Sequence, residues 1–322
     1  MPQSQPTNAH IRPFNAQTDL AELADLIQVA FGDELARTGN RMVEDLRQWA
    51  TLGRWLNLAT ARWPLYSGLV WVEEQRIIGN VSYSRERGRG EWQISNVAVY
   101  PEYRGRGIAG QLCDAALDEI RAAGGQRVYL QVRSDNLVAH TLYEHRGFAR
   151  YDTVLELGLA PERRPVVIGQ DRTVRSLLWW SNRQVLELAR VALPPERLAA
   201  RPYALAEYRR SLAHQLMQLA LPDPARGEYQ CAAFNRRRLL AWGHVRAEAA
   251  RQPAEIELLV RPECRGAWES RLIGALLAQY PLGRSPLRAH VSLAHPEASD
   301  AFAQYGFRML RVLDEMVLSL HS

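Results

Sequence analysis

The chain has 322 residues, 47% of them hydrophobic and 23% charged, the balance of a soluble protein with two domains at roughly 150 residues each. All 40 basic residues are arginine, so a P-loop lysine, a Schiff-base lysine and a kinase strand lysine are excluded together. The net charge of +5 is diluted among 35 acidic residues and the longest basic run is Arg236–Arg238, which suits an anionic small ligand better than specific nucleic-acid binding.

In chain order, Ile11-Arg12-Pro13-Phe14 opens the pattern, and Thr18-Asp19 caps a helix with Leu20, Leu23, Leu26, Ile27 and Ala30 at helical spacing. Leu69–Val72 and Ile77–Val81 read as a hairpin, and Trp92–Val99 as a third strand. A helix over 108–122 follows, with Ile108, Leu112, Ala115, Ala116 and Ile120 apolar. Then come a strand at Val128–Val132, a helix over 137–146 and a closing strand at Val154–Leu159. An antiparallel start followed by strand–helix alternation predicts an α/β fold, a mixed, mostly antiparallel sheet flanked by helices. Ala160–Pro165, with two prolines and a charge cluster, reads as a linker.

The second half repeats the first. Ile11-Arg12 is echoed by Val174-Arg175, Val99-Tyr-Pro-Glu-Tyr-Arg-Gly105 by Val260-Arg-Pro-Glu-Cys-Arg-Gly266, and Gly147-Phe148 by Gly306-Phe307, at offsets of 163, 161 and 159 residues. An internal duplication into domains 9–158 and 172–322 is therefore expected. Cys113, Cys231 and Cys264 show neither disulfide nor metal spacing. The polar first ten residues and charge-free stretches of at most a dozen predict a cytoplasmic protein without a membrane span.

Chemistry concentrates in Arg104-Gly105-Arg106-Gly107-Ile108-Ala109-Gly110, where a strand runs through a small-residue loop into a helix. Outward-pointing amides and the helix dipole favour a phosphate there, and glycines let it approach the backbone. Gly105-x-Gly107-x-x-Gly110 also fits a dinucleotide fingerprint. Against that reading, the first glycine lies six residues past Val99, a hairpin precedes the element, and Val132 is followed by Arg133 instead of an acid.

Arg104-x-x-Gly107-x-Ala109 after a Val-x-Val strand, with Asn136-x-x-Ala139-x-x-x-Tyr143-x-x-x-Gly147-Phe148 downstream, resembles the GNAT superfamily of acyl-coenzyme A-dependent N-acyltransferases. The match covers roughly residues 9–158. The resemblance implies acetyl-coenzyme A as cosubstrate, no metal, and a small-molecule amine as acceptor. It implies that the amides of Arg104, Gly105, Arg106, Gly107, Ile108, Ala109 and Gly110 bind the pyrophosphate. Val97, Ala98 and Val99 would pair with the pantetheine arm and polarise the thioester, Asn136 would contact the coenzyme, and Tyr143 would protonate the departing thiolate. Glu91 is the nearest acid for the general base, a solvated strand-start residue being its other reading; Gln93 stands two residues on. Trp49, Trp55 and Trp63 line an acceptor pocket or pack in a core.

In the second half Trp268 stands in the place of Gly107, His295 in that of Asn136 and Phe302 in that of Tyr143. This half is expected to keep the fold without coenzyme binding, with a structural or pocket-forming role. The expected function is acetyl transfer to a primary amine. The alternatives are a silent coenzyme A-binding module and a tandem acyltransferase acting on a sugar-linked or thiol-containing metabolite.

Overall fold

The computed structural model describes residues 9–52, 67–165, 171, 173–176, 182–208, 228–247, 253–280 and 285–320; Trp55, Trp63 and Leu177 lie outside them. The chain forms two compact units, and neither is a continuous half. The first comprises Met1–Gln131, Leu137–Ala149 and Met316–Ser322; the second comprises Val132–Asn136 and Arg150–Glu315.

The first unit holds strands β1 (His10–Pro13), β2 (Ser67–Glu73), β3 (Arg76–Arg85), β4 (Glu91–Val99) and β5 (Arg127–Arg133), side by side in that order. Pairing is antiparallel from β1 to β4 and parallel between β4 and β5. Helices α1 (Leu20–Thr38), α2 (Met42–Leu52), α3 (Ile108–Ala122) and α4 (Leu137–Glu144) complete it. Burial of Ile108, Leu112, Cys113, Ala116, Leu117 and Ile120 fixes the inward face of α3. Gly79 of β3 faces this helix, where an added Cβ would lie 3.0 Å from Leu112 and 3.1 Å from Ile108.

Asp19 stands at the start of α1 as expected, yet its side chain does not cap that helix. Instead the buried carboxylate takes a two-pronged bond from Arg12 of β1, the Asn15 amide at 2.8 Å and the Thr18 hydroxyl at 2.8 Å. Burial alone would raise its pKa. The hydrogen bonds from Arg12 and Asn15 outweigh burial and hold it below the usual aspartate value.

The second unit repeats the plan with β7 (Val174–Ser176), β8 (Glu228–Asn235), β9 (Arg238–Arg246), β10 (Ala254–Val260) and β11 (Leu287–Ser292). Its helices are α5 (Asn182–Ala192), α6 (Pro195–Ala200), α7 (Glu269–Gln279) and α8 (Pro296–Gln304). A core built on Leu272, Ile273, Leu276, Phe302 and the apolar side chains of β8 to β11 lies on one face, and α5 buries Val185, Leu188 and Ala189 against Trp242 and Leu259.

The last strand of each half departs from the linear boundary at 158. β6 (Ala149–Leu159) pairs residue for residue with β11, from Val154↔Ser292 to Leu159↔Leu287, and so completes the second unit. β12 (Arg308–Ser319) begins in the second unit and ends in the first, where Leu320 donates its amide to the Gln126 carbonyl at 2.8 Å. Buried side chains hold β6 in its adopted sheet. Glu156, fully buried, meets Arg288 of β11 at 2.9 Å and Arg311 of β12, and Asp152 accepts from Ser292 at 2.7 Å. Backbone ladders carry no record of which half supplied the strand, so the exchange is decided by these side chains. Among the described residues no helix is long and apolar enough to cross a membrane.

Candidate functional site

The site begins with an irregularity in β4. Asn96 has a left-handed φ of 51°, and the register against β3 shifts between Asn80 and Ser82, the mark of a bulge. The buried Asn80 amide spans it, donating to the Asn96 carbonyl at 2.9 Å and to Ser82 at 3.2 Å. Parallel pairing with β5 covers Glu91, Trp92 and Gln93 opposite Arg127, Val128 and Tyr129, and among the described residues goes no further. The half of β4 carrying Val97, Ala98 and Val99 thus stands without a β5 partner, as a strand edge open to an extended ligand does.

A 3-10 turn at Pro101–Tyr103 then leads into Arg104–Gly107. Gly105 and Gly107 both have left-handed φ, 78° and 77°, and an added Cβ would find nothing within 4 Å at Gly105. The glycines therefore serve backbone direction and leave space open above it. Gly107 precedes α3 directly, so the amides of Gly107, Ile108, Ala109 and Gly110 have no acceptor within the helix. These amides and the dipole form an anion cradle. The two arginines act differently. Arg104 donates through Nε to the Val99 carbonyl at 3.1 Å, and Arg106 pairs with buried Glu73 at 2.9 Å while lying over the Tyr103 ring. Their side chains brace the loop, and the backbone faces outward.

Tyr143 is the one buried side chain of α4 and packs edge-on against Phe148, with ring centroids 5.8 Å apart. No described residue hydrogen-bonds its hydroxyl. Burial, helped slightly by Cys113 and opposed by Arg146, pushes the phenol well above the ordinary tyrosine value, so it is protonated throughout the neutral range. Cys113 is buried on α3 with its thiol pushed up to about 12 by the same burial, which makes it a packing residue. Asn136 is exposed just ahead of α4, its amide bonded to the Arg133 carbonyl at 2.9 Å.

The structure does not bring Glu91 to this group. It lies six residues before Val97 on β4, about 20 Å away at roughly 3.3 Å per residue, where β4 and β5 are still paired. It is 3% exposed and not solvated, accepting from the Tyr129 hydroxyl at 3.0 Å and facing Arg127 at 3.6 Å. Trp49 is half-buried on α2.

Residues 28–148 match the Acetyltransferase (GNAT) family. The chain carries a GNAT acetyltransferase domain. The N-alpha-acetyltransferase 30 of Schizosaccharomyces pombe is 38% identical over 93 residues, which are 28% of this chain and 61% of that protein. The mycothiol acetyltransferase of Beutenbergia cavernae is 46% identical over 56 residues, 17% of this chain and 19% of its own. The chain thus spans less than two thirds of these curated relatives. Over the whole chain the likeness is one of fold. A GCN5-related N-acetyltransferase from Sphaerobacter thermophilus superposes with a TM-score of 0.65 at 14% identity, covering 99% of this chain and 98% of that one. A tandem GNAT protein from the clavulanic acid biosynthesis pathway superposes at 0.59 and 17% identity, covering 98% and 99%.

The corresponding loop of the second unit is built differently. Gly266 keeps the left-handed φ, 81°, but Trp268 now precedes the helix and Glu269 is its first residue. The Glu269 carboxylate, 1% exposed, turns back onto the helix start. It accepts from the Trp268 amide at 3.2 Å and meets His295 Nε2 at 2.8 Å. A carboxylate of the protein thus occupies the electropositive helix end that the first unit leaves open. An acid at the first helical position was the available sequence signal, and only its partner His295, 26 residues on, gives it meaning.

Burial works to raise the Glu269 pKa, and the His295 bond and backbone amides overcome it, leaving it below the usual glutamate value. A lowered folded pKa means stability that is full above about pH 4.5, the unfolded value, and lost as pH falls through the folded one. Glu269→Gln is expected to cost about 1–3 kcal/mol at pH 7. Its urea midpoint should converge with that of the wild type only once the pH has fallen through the lowered folded-state pKa. A pH-independent difference would contradict the ionised pair.

Proposed function

We propose that the first unit transfers an acetyl group from acetyl-coenzyme A to a primary amine by direct attack on the thioester. The observation that carries this is the conjunction, in one unit, of an open glycine loop at a helix start, a stretch of β4 without a partner on its β5 side and a buried phenol with no hydrogen-bond partner among the described residues. In this reading the amides of residues 104–110 hold the pyrophosphate, and Val97–Val99 receive the pantetheine arm as an added strand. An amide there donates to the thioester oxygen as charge builds on it. The amine nitrogen attacks the carbonyl carbon, the C–S bond breaks, and Tyr143 gives its proton to the sulfur while the new ammonium releases one to solvent.

The acceptor is an amine already partly neutral near pH 7.5. The face of β3 and β4 turned away from α3 presents Asn80, Ser82, Gln93 and Ser95 near the bulge, all uncharged. Residues 53–66 include no acid in the sequence. With Glu91 committed to Tyr129 and Arg127, the first unit is better suited to an α-amine, of pKa about 7.7–8.0, than to a lysine-type amine near 10.4. The relatives named N-alpha-acetyltransferase support an α-amine, and those named mycothiol acetyltransferase support a sugar-linked amine as the second reading. The second unit binds no coenzyme, because Glu269 fills its helix start.

The test is thiol release from acetyl-coenzyme A with α-amines, amino sugars and lysine-type amines, beside calorimetry on the intact chain. Expected are one equivalent bound and turnover with the less basic amines. Binding without thiol release would leave a silent coenzyme-binding module, and two equivalents would refute the closure of the second loop.

A further inference from the structure

We propose that Arg146 is a positioning residue for Tyr143, clamping the short helix α4 onto α3 and placing a cation beside the phenol. The inference rests on the transferase reading for its kinetic consequence and on geometry for the clamp itself.

Helix α4 has little to hold it. It is eight residues long, Tyr143 is its one buried side chain, and its first two residues, Leu137 and Val138, are 74% and 84% exposed. A helix this short is marginal without tertiary support. Arg146, two residues past its end, supplies that support through all three guanidinium nitrogens. Nε and Nη2 form a fork on Asp114 of α3, at 2.7 and 2.9 Å, and Nη1 donates to the Leu142 carbonyl at 2.8 Å. Such two-pronged pairs fix orientation as well as distance. The fork can form because residue 110 is glycine. A Cβ there would lie 2.6 Å from Nη2, so Gly110 makes room for the clamp as well as contributing an amide to the loop. Gly110, Cys113 and Asp114 share one face of α3 by their spacing, and the guanidinium seated on that face opposes the burial that raises the pKa of the Tyr143 phenol.

The cation matters when the proton leaves. A phenolate forming in this buried position is disfavoured by desolvation, and a guanidinium nearby offsets part of that cost. The second unit provides the contrast. At the place of Arg146 it has Tyr305, whose hydroxyl bonds the Ser270 carbonyl at 2.9 Å and crowds Gly274, and at the place of Tyr143 it has Phe302. Where the phenol is gone, the cation is gone as well.

The test is a kinetic cycle on the full chain with Arg146→Met, Arg146→Lys, Asp114→Asn and Tyr143→Phe. Arg146→Met should lower kcat about tenfold or more, a fraction of what a general acid contributes, with the KM for acetyl-coenzyme A within about twofold. In the Tyr143→Phe background the same change should have no further effect on kcat. Arg146→Lys, keeping the charge without the fork, should fall between. An equal loss from Arg146→Met in both backgrounds would overturn the proposal. Amide exchange gives a readout independent of turnover: Arg146→Met and Asp114→Asn should speed exchange across residues 142–148, and unchanged rates would overturn the clamp. Failure of the wild type to release thiol with every amine would instead count against the transferase reading.

Discussion

Tyr143→Phe is expected to lower kcat by about 10²–10⁴ while the coenzyme still binds within about twofold of the wild type. The substitution removes one oxygen from a side chain whose ring does the packing, edge-on to Phe148. That packing survives in the variant, as the second unit shows, where Phe302 meets Phe307 in the same edge-on manner at 4.8 Å. In the proposed function coenzyme affinity resides in loop amides that the change does not touch. What is lost is the proton for the sulfur, and the departing thiolate must then be neutralised by water or leave as the anion. Burial keeps the phenol protonated, so its proton is available across the neutral range, and a kcat profile without a basic limb below about pH 9 is expected from this group. Undiminished turnover in the variant would remove Tyr143 from the reaction.

Ending the chain after Glu315 is expected to abolish the folded first unit. The seven deleted residues, Met316–Ser322, belong to that unit by packing although 166 residues separate them from Ala149, the last residue of its preceding segment. They carry buried Met316 and the Leu320 amide that bonds the Gln126 carbonyl, and with them goes the strand edge on which β5 closes. Losing a buried methionine and a ladder of backbone bonds approaches the whole stability of a domain, about 5–15 kcal/mol. The checks are loss of the cooperative thermal transition and of acetyl-coenzyme A binding, with the glycine loop and Tyr143 both still present in sequence. A truncated chain that folds and binds as before would show that β12 is dispensable to the first unit. The reciprocal holds for the second unit. A fragment beginning at 165 lacks β6 and the buried Glu156 that meets Arg288 and Arg311, so the proposed loss of coenzyme binding there is tested in the intact chain.

The glycine loop and the repeat were legible in the order of residues alone. Gly105 and Gly107 occupy left-handed backbone positions that a side chain resists, apolar spacing drew α3, and short apolar runs bounded by polar turn residues drew β3 and β4, because each is a local requirement written in neighbouring residues. Three things depended on contacts between distant parts of the chain. It placed Glu91 at the paired end of β4, away from the splayed edge, since distance along a strand becomes function only when its neighbour diverges. It turned Glu269 onto its own helix start, since that depends on a histidine reaching back from another element. It sent β6 and β12 to the sheets they complete, because backbone hydrogen bonds are identical for any partner, and the choice rests on buried side chains from strands more than a hundred residues apart.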